Sequence, residues 1–148
     1  MSLSDLANQE RLTEHRTTAQ EVHSLLTRAK RDLADAGVDQ VSLDRRFMAA
    51  YSAVLSLATI PLACAGYRAV RHRHFTTFEA LPLAMGQEIQ ELADYFDTAR
   101  QKRNQAQYDQ AGVATITEVE ELIQTATEFR GRVVRWLHEN HPQLLGET

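Results

Sequence analysis

The sequence predicts an all-α protein, and three observations carry that prediction. Glycine and proline are scarce, six and three residues in 148. Apolar residues recur at steps of three and four nearly everywhere, the spacing that lines one face of a helix. No run of useful length alternates apolar and polar residues as a half-buried strand does. Four long helices joined by short loops, with an extra short helix between the second and third, make an antiparallel four-helix bundle the economical arrangement.

Residues 4 to 16 are polar and read as a short or frayed leading helix, so 1–17 is set apart as an N-terminal segment. Thr18-Ala-Gln-Glu21 fits a capping box, in which hydroxyl and carboxylate each satisfy a free backbone N–H. Val22, Leu26, Ala29, Leu33 and Ala36 then form a stripe, and Gly37 supplies the C-cap. Ser42 caps the second helix, whose apolar side carries Leu43, Phe47, Ala50, Val54, Ala58 and Leu62. Its breadth of apolar surface from Ala49 onward places it at the bundle centre. Pro61 predicts a kink or an early stop, and Gly66 ends the element.

A basic loop follows from Tyr67 to Phe75. Thr76-Thr-Phe-Glu79 reads as another capping box, opening a short helix through Leu83 that Pro82 and Gly86 bring to an end. The next helix spans about Gln87 to Tyr108, and Asp109 to Ala114 reads as a loop. Thr117-Glu-Val-Glu120 caps the last helix, with a stripe of Val119, Leu122, Ala126, Phe129, Val133 and Trp136. His141-Pro142 terminates it, leaving 141–148 as a disordered tail. With no internal repeat and no low-complexity linker, 18–140 is one domain.

Composition sets outer bounds. The chain is 43% hydrophobic and 24% charged, ordinary for a globular protein. No apolar run approaches the roughly 20 residues that span a bilayer, since Pro61 and Gly66 interrupt the best stretch and Arg68 closes it. Met-Ser-Leu-Ser-Asp lacks the basic and apolar regions of a signal peptide, which points to the cytoplasm and away from a membrane. The net charge of −4 argues against general nucleic-acid affinity. Local clustering matters more: Arg68, Arg71, His72, Arg73 and His74 occur with no acid before Glu79.

The most informative stretch is Arg100 to Tyr108. Met85, Ile89, Leu92, Phe96 and Ala99 form one stripe, and the next position on it is Arg103. A guanidinium is costly to bury without partners, so this one belongs at a bundle mouth, snorkels, or has a task. Arg100, Asn104 and Tyr108 share a face at i, i+4 and i+8, with Arg103 and Gln107 between. The plain alternative is a solvated helix end, where arginines are favourable without any function. Other chemistries lack their residues. His72-Arg-His74 has no carboxylate neighbour and no HExxH or Glu-x-x-His pair occurs, so no metal is expected. There is no Gly-x-Ser-x-Gly elbow and no glycine-rich phosphate loop, hence no expected cofactor; Cys64 reads as a small core residue.

A helical bundle whose penultimate long helix ends in Arg103-Asn104-x-x-x-Tyr108 resembles the HEPN domain, a family of small helical domains that often dimerise and act on RNA. Ala49-Ala-Tyr-Ser-Ala53, Ala65-Gly-Tyr-Arg68, the histidine-bearing loop and Phe78-Glu-Ala-Leu81 look like the small stand-alone bacterial members, over roughly 18–140. The resemblance implies a homodimer with a shared cleft and metal-independent ribonuclease chemistry of toxin or defence type. Arg103, Asn104 and Tyr108 stand at the catalytic positions, with Arg100, Arg68, Arg71, His72, Arg73 and His74 binding RNA or a nucleotide phosphate. The family's motif carries His four to six residues after the Arg; here Tyr108 replaces it, and a phenol of pKa near 10 is a poor general base at neutral pH. Either activity is lost and binding kept, or a histidine of 72–74 substitutes. The competing reading is a non-enzymatic interaction module with a protein partner, such as one half of a toxin–antitoxin-type pair.

Overall fold

The computed structural model describes residues 1–108 and 112–146. It is mostly helical, with seven α-helices, a single 3-10 turn and one two-stranded sheet among the described residues. Helix α1 (Leu3–Asn8) opens with a reciprocal capping box between Ser2 and Asp5 and buries Leu6. The leading segment is therefore anchored. Strand β1 (Leu12–Glu14) pairs antiparallel with β2 (Tyr67–Ala69), placing Leu12 opposite Ala69 and Thr13 opposite Arg68. No strand was expected. Three residues are too few to display a two-residue period, and the partners lie far apart in the chain.

Helix α2 (Ala19–Ala36) starts at the expected cap, where Thr18 Oγ1 accepts from the Glu21 N–H at 3.1 Å. The other half of that box is absent, because the Glu21 carboxylate accepts from Thr17 Oγ1 at 2.6 Å and meets His15 Nε2 at 2.8 Å. Helix α3 (Leu43–Cys64) begins at Ser42 as expected, but Pro61 does not stop it early. Its buried Arg46 donates from Nε to the Ala36 carbonyl at 2.7 Å, satisfying an orphan acceptor at the end of α2. By length and composition α3 is apolar enough to cross a membrane, contrary to the expectation from sequence, yet 67% of its most apolar stretch is buried inside the protein. It is the central element, packed against α2, α4, α5 and α6.

Helix α4 runs Arg73–Met85, three residues earlier at its start than expected and through Pro82. The anticipated box fails because both of its polar residues are used elsewhere. Thr76 Oγ1 donates to the Arg71 carbonyl at 2.7 Å and accepts from Arg11, whose Nη1 donates to Glu79 at 2.9 Å. Gly86 closes α4 at φ 118°, a backbone conformation in which any other side chain is strained. The 3-10 turn Gln87–Ile89 leads into α5 (Gln90–Tyr108).

Of the expected loop 109–114, residues 109–111 lie outside the described residues. Its remainder is tied to α3 by the Asp44 carboxylate, which accepts from the Gly112 and Ala114 N–H groups at 2.7 and 2.9 Å. Helix α6 (Ile116–Asn140) is capped by Thr115 with Glu118, two residues ahead of the expected Thr117. The expected tail contains α7 (Pro142–Leu145), and Leu144 and Leu145 pack on the main core; residues 147–148 lie outside the described residues. That core holds an aromatic run of Tyr51, Phe78, Phe96 and Phe129, with successive ring centroids 6.0, 5.9 and 4.9 Å apart.

Candidate functional site

Because α4 starts at Arg73, His74 and Phe75 stand on a first helical turn and not in a loop. His72 at its N-cap adopts φ 49°, a left-handed conformation unusual for a non-glycine residue, and makes no side-chain cap. The turn faces α5 across a cleft of about 510 Å³ lined by His72, Arg73, His74, Phe75, Arg100 and Asn104. Six residues named from the sequence or next to one are thus brought to a single place.

Each wall is held by a specific contact. Arg100 Nε donates to Asp97 Oδ1 at 2.7 Å, and its guanidinium lies 5.5 Å from the Phe75 ring centroid. Arg11 approaches the same ring at 5.3 Å. Arg103 does not line the cleft. Half-buried, it donates from Nη1 to Asn104 Oδ1 at 3.2 Å, and its guanidinium sits 5.9 Å from the Tyr51 ring centroid. The costly charge on the apolar stripe is accommodated inside one chain by a π face and an amide.

Tyr51, on the most apolar helix, is joined to His74 by a hydrogen bond of 2.9 Å between Oη and Nδ1. Burial pushes the Tyr51 phenol well above its usual range, against the opposing pull of Arg103 and Arg100. It stays protonated. Burial also holds His74 below its ordinary value, and the positive charges of Arg103, Arg100 and Arg73 act in the same direction. The imidazole is accordingly neutral at neutral pH, with one ring nitrogen able to accept and the other to donate.

Other site expectations fare differently. Tyr108 is 72% exposed at the end of α5 and does not line the cleft. Arg68 is on β2, opposite Thr13 and away from the lining. Arg71 does have an acidic neighbour, the Glu10 carboxylate at 3.7 Å, supplied from a distant part of the chain. Among the described residues no three His, Cys, Asp or Glu side chains are grouped so as to hold a metal ion. Cys64 is half-buried, its thiol pushed up to about 11 by burial. Sequence reasoning missed Tyr51, Phe75 and Asp97 as parts of the site. A signal existed for Tyr51 alone: a phenol on an otherwise apolar helix needs a partner for its hydroxyl. Compared with family models, curated proteins and solved structures, the chain matches none of them.

Proposed function

We propose that this chain is a HEPN-like antiparallel four-helix bundle that binds RNA or a nucleotide phosphate in the cleft between α4 and α5. One observation carries the reading: Arg100 and Asn104 from α5 meet Arg73 and a neutral His74 from α4 across a single cleft. Guanidinium groups suit phosphate oxygens, and an imidazole beside them is positioned to exchange a hydrogen bond or proton with a ribose hydroxyl. Asp97 offsets one of the nearby cations, and Arg73 and Arg103 form no ion pair among the described residues. In this reading His74 takes the part that Tyr108 is too exposed to play. The protein works in the cytoplasm as a homodimer whose two clefts lie side by side, which a two-fold axis produces from one patch.

The test is fluorescence anisotropy of a labelled single-stranded RNA at low salt with EDTA present, with Arg100→Ala alongside. Binding by the wild type, weakened tenfold or more by Arg100→Ala, is the expected result. Absence of binding at high micromolar protein would remove the RNA reading and leave a non-enzymatic interaction module with a protein partner.

A further inference from the structure

A second groove shares no residue with the α4–α5 cleft. It lies between α2, α6 and α7, measures about 410 Å³, and takes its walls from two stripes at four-residue spacing. Val22, Leu26 and Lys30 come from α2; Arg130, Val134 and His138 come from α6. Pro142, Leu145 and Gly146 close one end. Gly146 lies against Ala19, so the start of α2 meets the end of α7. Lys30 and Arg130 consequently share the far end of the groove, with Leu26 and Val134 in its middle. The eight helical steps from Val22 to Lys30 give it a length of about 12 Å.

The charge pattern is one-sided. Among the described residues no acid lines the groove, although acids outnumber cations in the chain, 20 to 16. Lys30 has Leu26, Thr27, Leu33 and Ala34 at its helical neighbour positions, and Arg130 has Ala126, Thr127, Val133 and Val134. Neither cation can pair along its own helix, and neither forms an ion pair among the described residues. The Nε of Arg130 is buried without a hydrogen-bond partner among them. A buried charged donor left unmatched is expensive, and a groove that keeps one beside an apolar floor is matched to an anion with an apolar body.

We infer that this groove binds a small amphipathic monocarboxylate, its head between Lys30 and Arg130 and its tail along Leu26, Val134 and Leu145. Both parts are required by the lining. A bare anion leaves the floor wet, and an uncharged chain leaves the half-buried Arg130 guanidinium and Lys30 without a counter-charge. His23 and His138 at the other end can each donate a hydrogen bond in either charge state.

Isothermal titration of the full chain with sodium octanoate, below its micellar range, tests this, with acetate and octan-1-ol as comparators. The expected result is millimolar or tighter binding of octanoate, with both comparators at least tenfold weaker. Affinity should rise from butyrate through hexanoate to octanoate by up to about fourfold per methylene buried. Arg130→Gln should weaken octanoate at least tenfold. Lys30→Gln, at an exposed position where folding is not in question, should also weaken it severalfold. Octanoate that fails to bind the full chain, octan-1-ol that binds as well as octanoate, or a Lys30→Gln variant with unchanged affinity each overturns the proposal.

Discussion

The Tyr51 hydroxyl lies 2.9 Å from His74 Nδ1 and joins the central helix to the first turn of α4. The neutral imidazole it holds has a measurable consequence. Burial holds the folded pKa of His74 below the unfolded value of about 6.5, and Arg103 and Arg100 from α5 with Arg73 from its own turn add to the effect. The unfolded chain then binds more protons just below pH 6.5 than the folded one. This group's contribution therefore lowers stability as pH falls from about 6.5 towards the folded pKa, and is constant at pH values above about 6.5. NMR titration should find His74 titrating below a model histidine, and Arg103→Ala should bring it part of the way back, since burial remains. Tyr51→Phe should cost about 0.5–1.5 kcal/mol in a urea melt while keeping the fold, because the ring still packs on Phe78.

The start of α6 distinguishes two caps two residues apart. Thr115 Oγ1 accepts from the Glu118 N–H at 3.1 Å, and the Glu118 carboxylate accepts from the Thr115 N–H at 3.0 Å. Thr117 makes no such bond and is exposed. Thr115→Ala should destabilise the protein by about 1 kcal/mol, and Thr117→Ala should leave the urea midpoint nearly unchanged. A loss at Thr117→Ala with little change at Thr115→Ala would place the helix start where the sequence pattern alone put it.

That contrast shows where the sequence is legible. Stripes that repeat over several turns survive folding: Val22, Ala29 and Ala36, or Val119, Leu122, Ala126, Phe129 and Val133, are all buried, because periodic burial is set by the whole helix. Caps depend on one side chain with several suitors. Thr76 and Glu79 had the spacing of a box, yet Arg11 from 65 positions away in sequence claims Thr76 and also holds Glu79. The site was half legible for the same reason. Arg100, Asn104 and His74 could be singled out as polar residues in conspicuous places. Their meeting, and the role of Tyr51 beneath them, depends on how α3, α4 and α5 pack, which no local spacing encodes.

The basic residues can be sorted by RNA affinity against salt. Arg73 lines the cleft, Arg71 approaches Glu10 and Arg68 sits on β2. On the phosphate-binding reading, Arg73→Ala should lower the slope of log affinity against log salt by about 0.7–0.9, the release from one phosphate contact. Arg68→Ala with Arg71→Ala should change it by much less. Equal slopes for all the variants would mean that the RNA is held somewhere other than the α4–α5 cleft.

The sharpest prediction separates His74 from Tyr108 as the group that handles a proton. Tyr108 stands at the position where the resembled family carries histidine, but its side chain is 72% exposed. His74 lies in the cleft beside Arg100 and Asn104 and is oriented by Tyr51. If the cleft cleaves RNA, His74→Ala should lower the rate by on the order of 100-fold or more, the usual scale for a positioned acid–base group. Arg100→Lys should also lose rate, because a compact ammonium cannot reproduce a bidentate guanidinium contact. Tyr108→Phe should cleave like the wild type, and Tyr108→His should gain nothing. The assay follows RNA fragments in EDTA, with far-ultraviolet circular dichroism to show that each variant is folded. Tyr51→Phe adds a control in the same series: by releasing His74 it should shift the acid limb of the pH–rate profile, whereas a purely structural tyrosine would lower the rate equally at every pH. A Tyr108→His variant that cleaves faster, beside a His74→Ala variant that cleaves normally, would move the chemistry out of the α4–α5 cleft to the exposed end of α5.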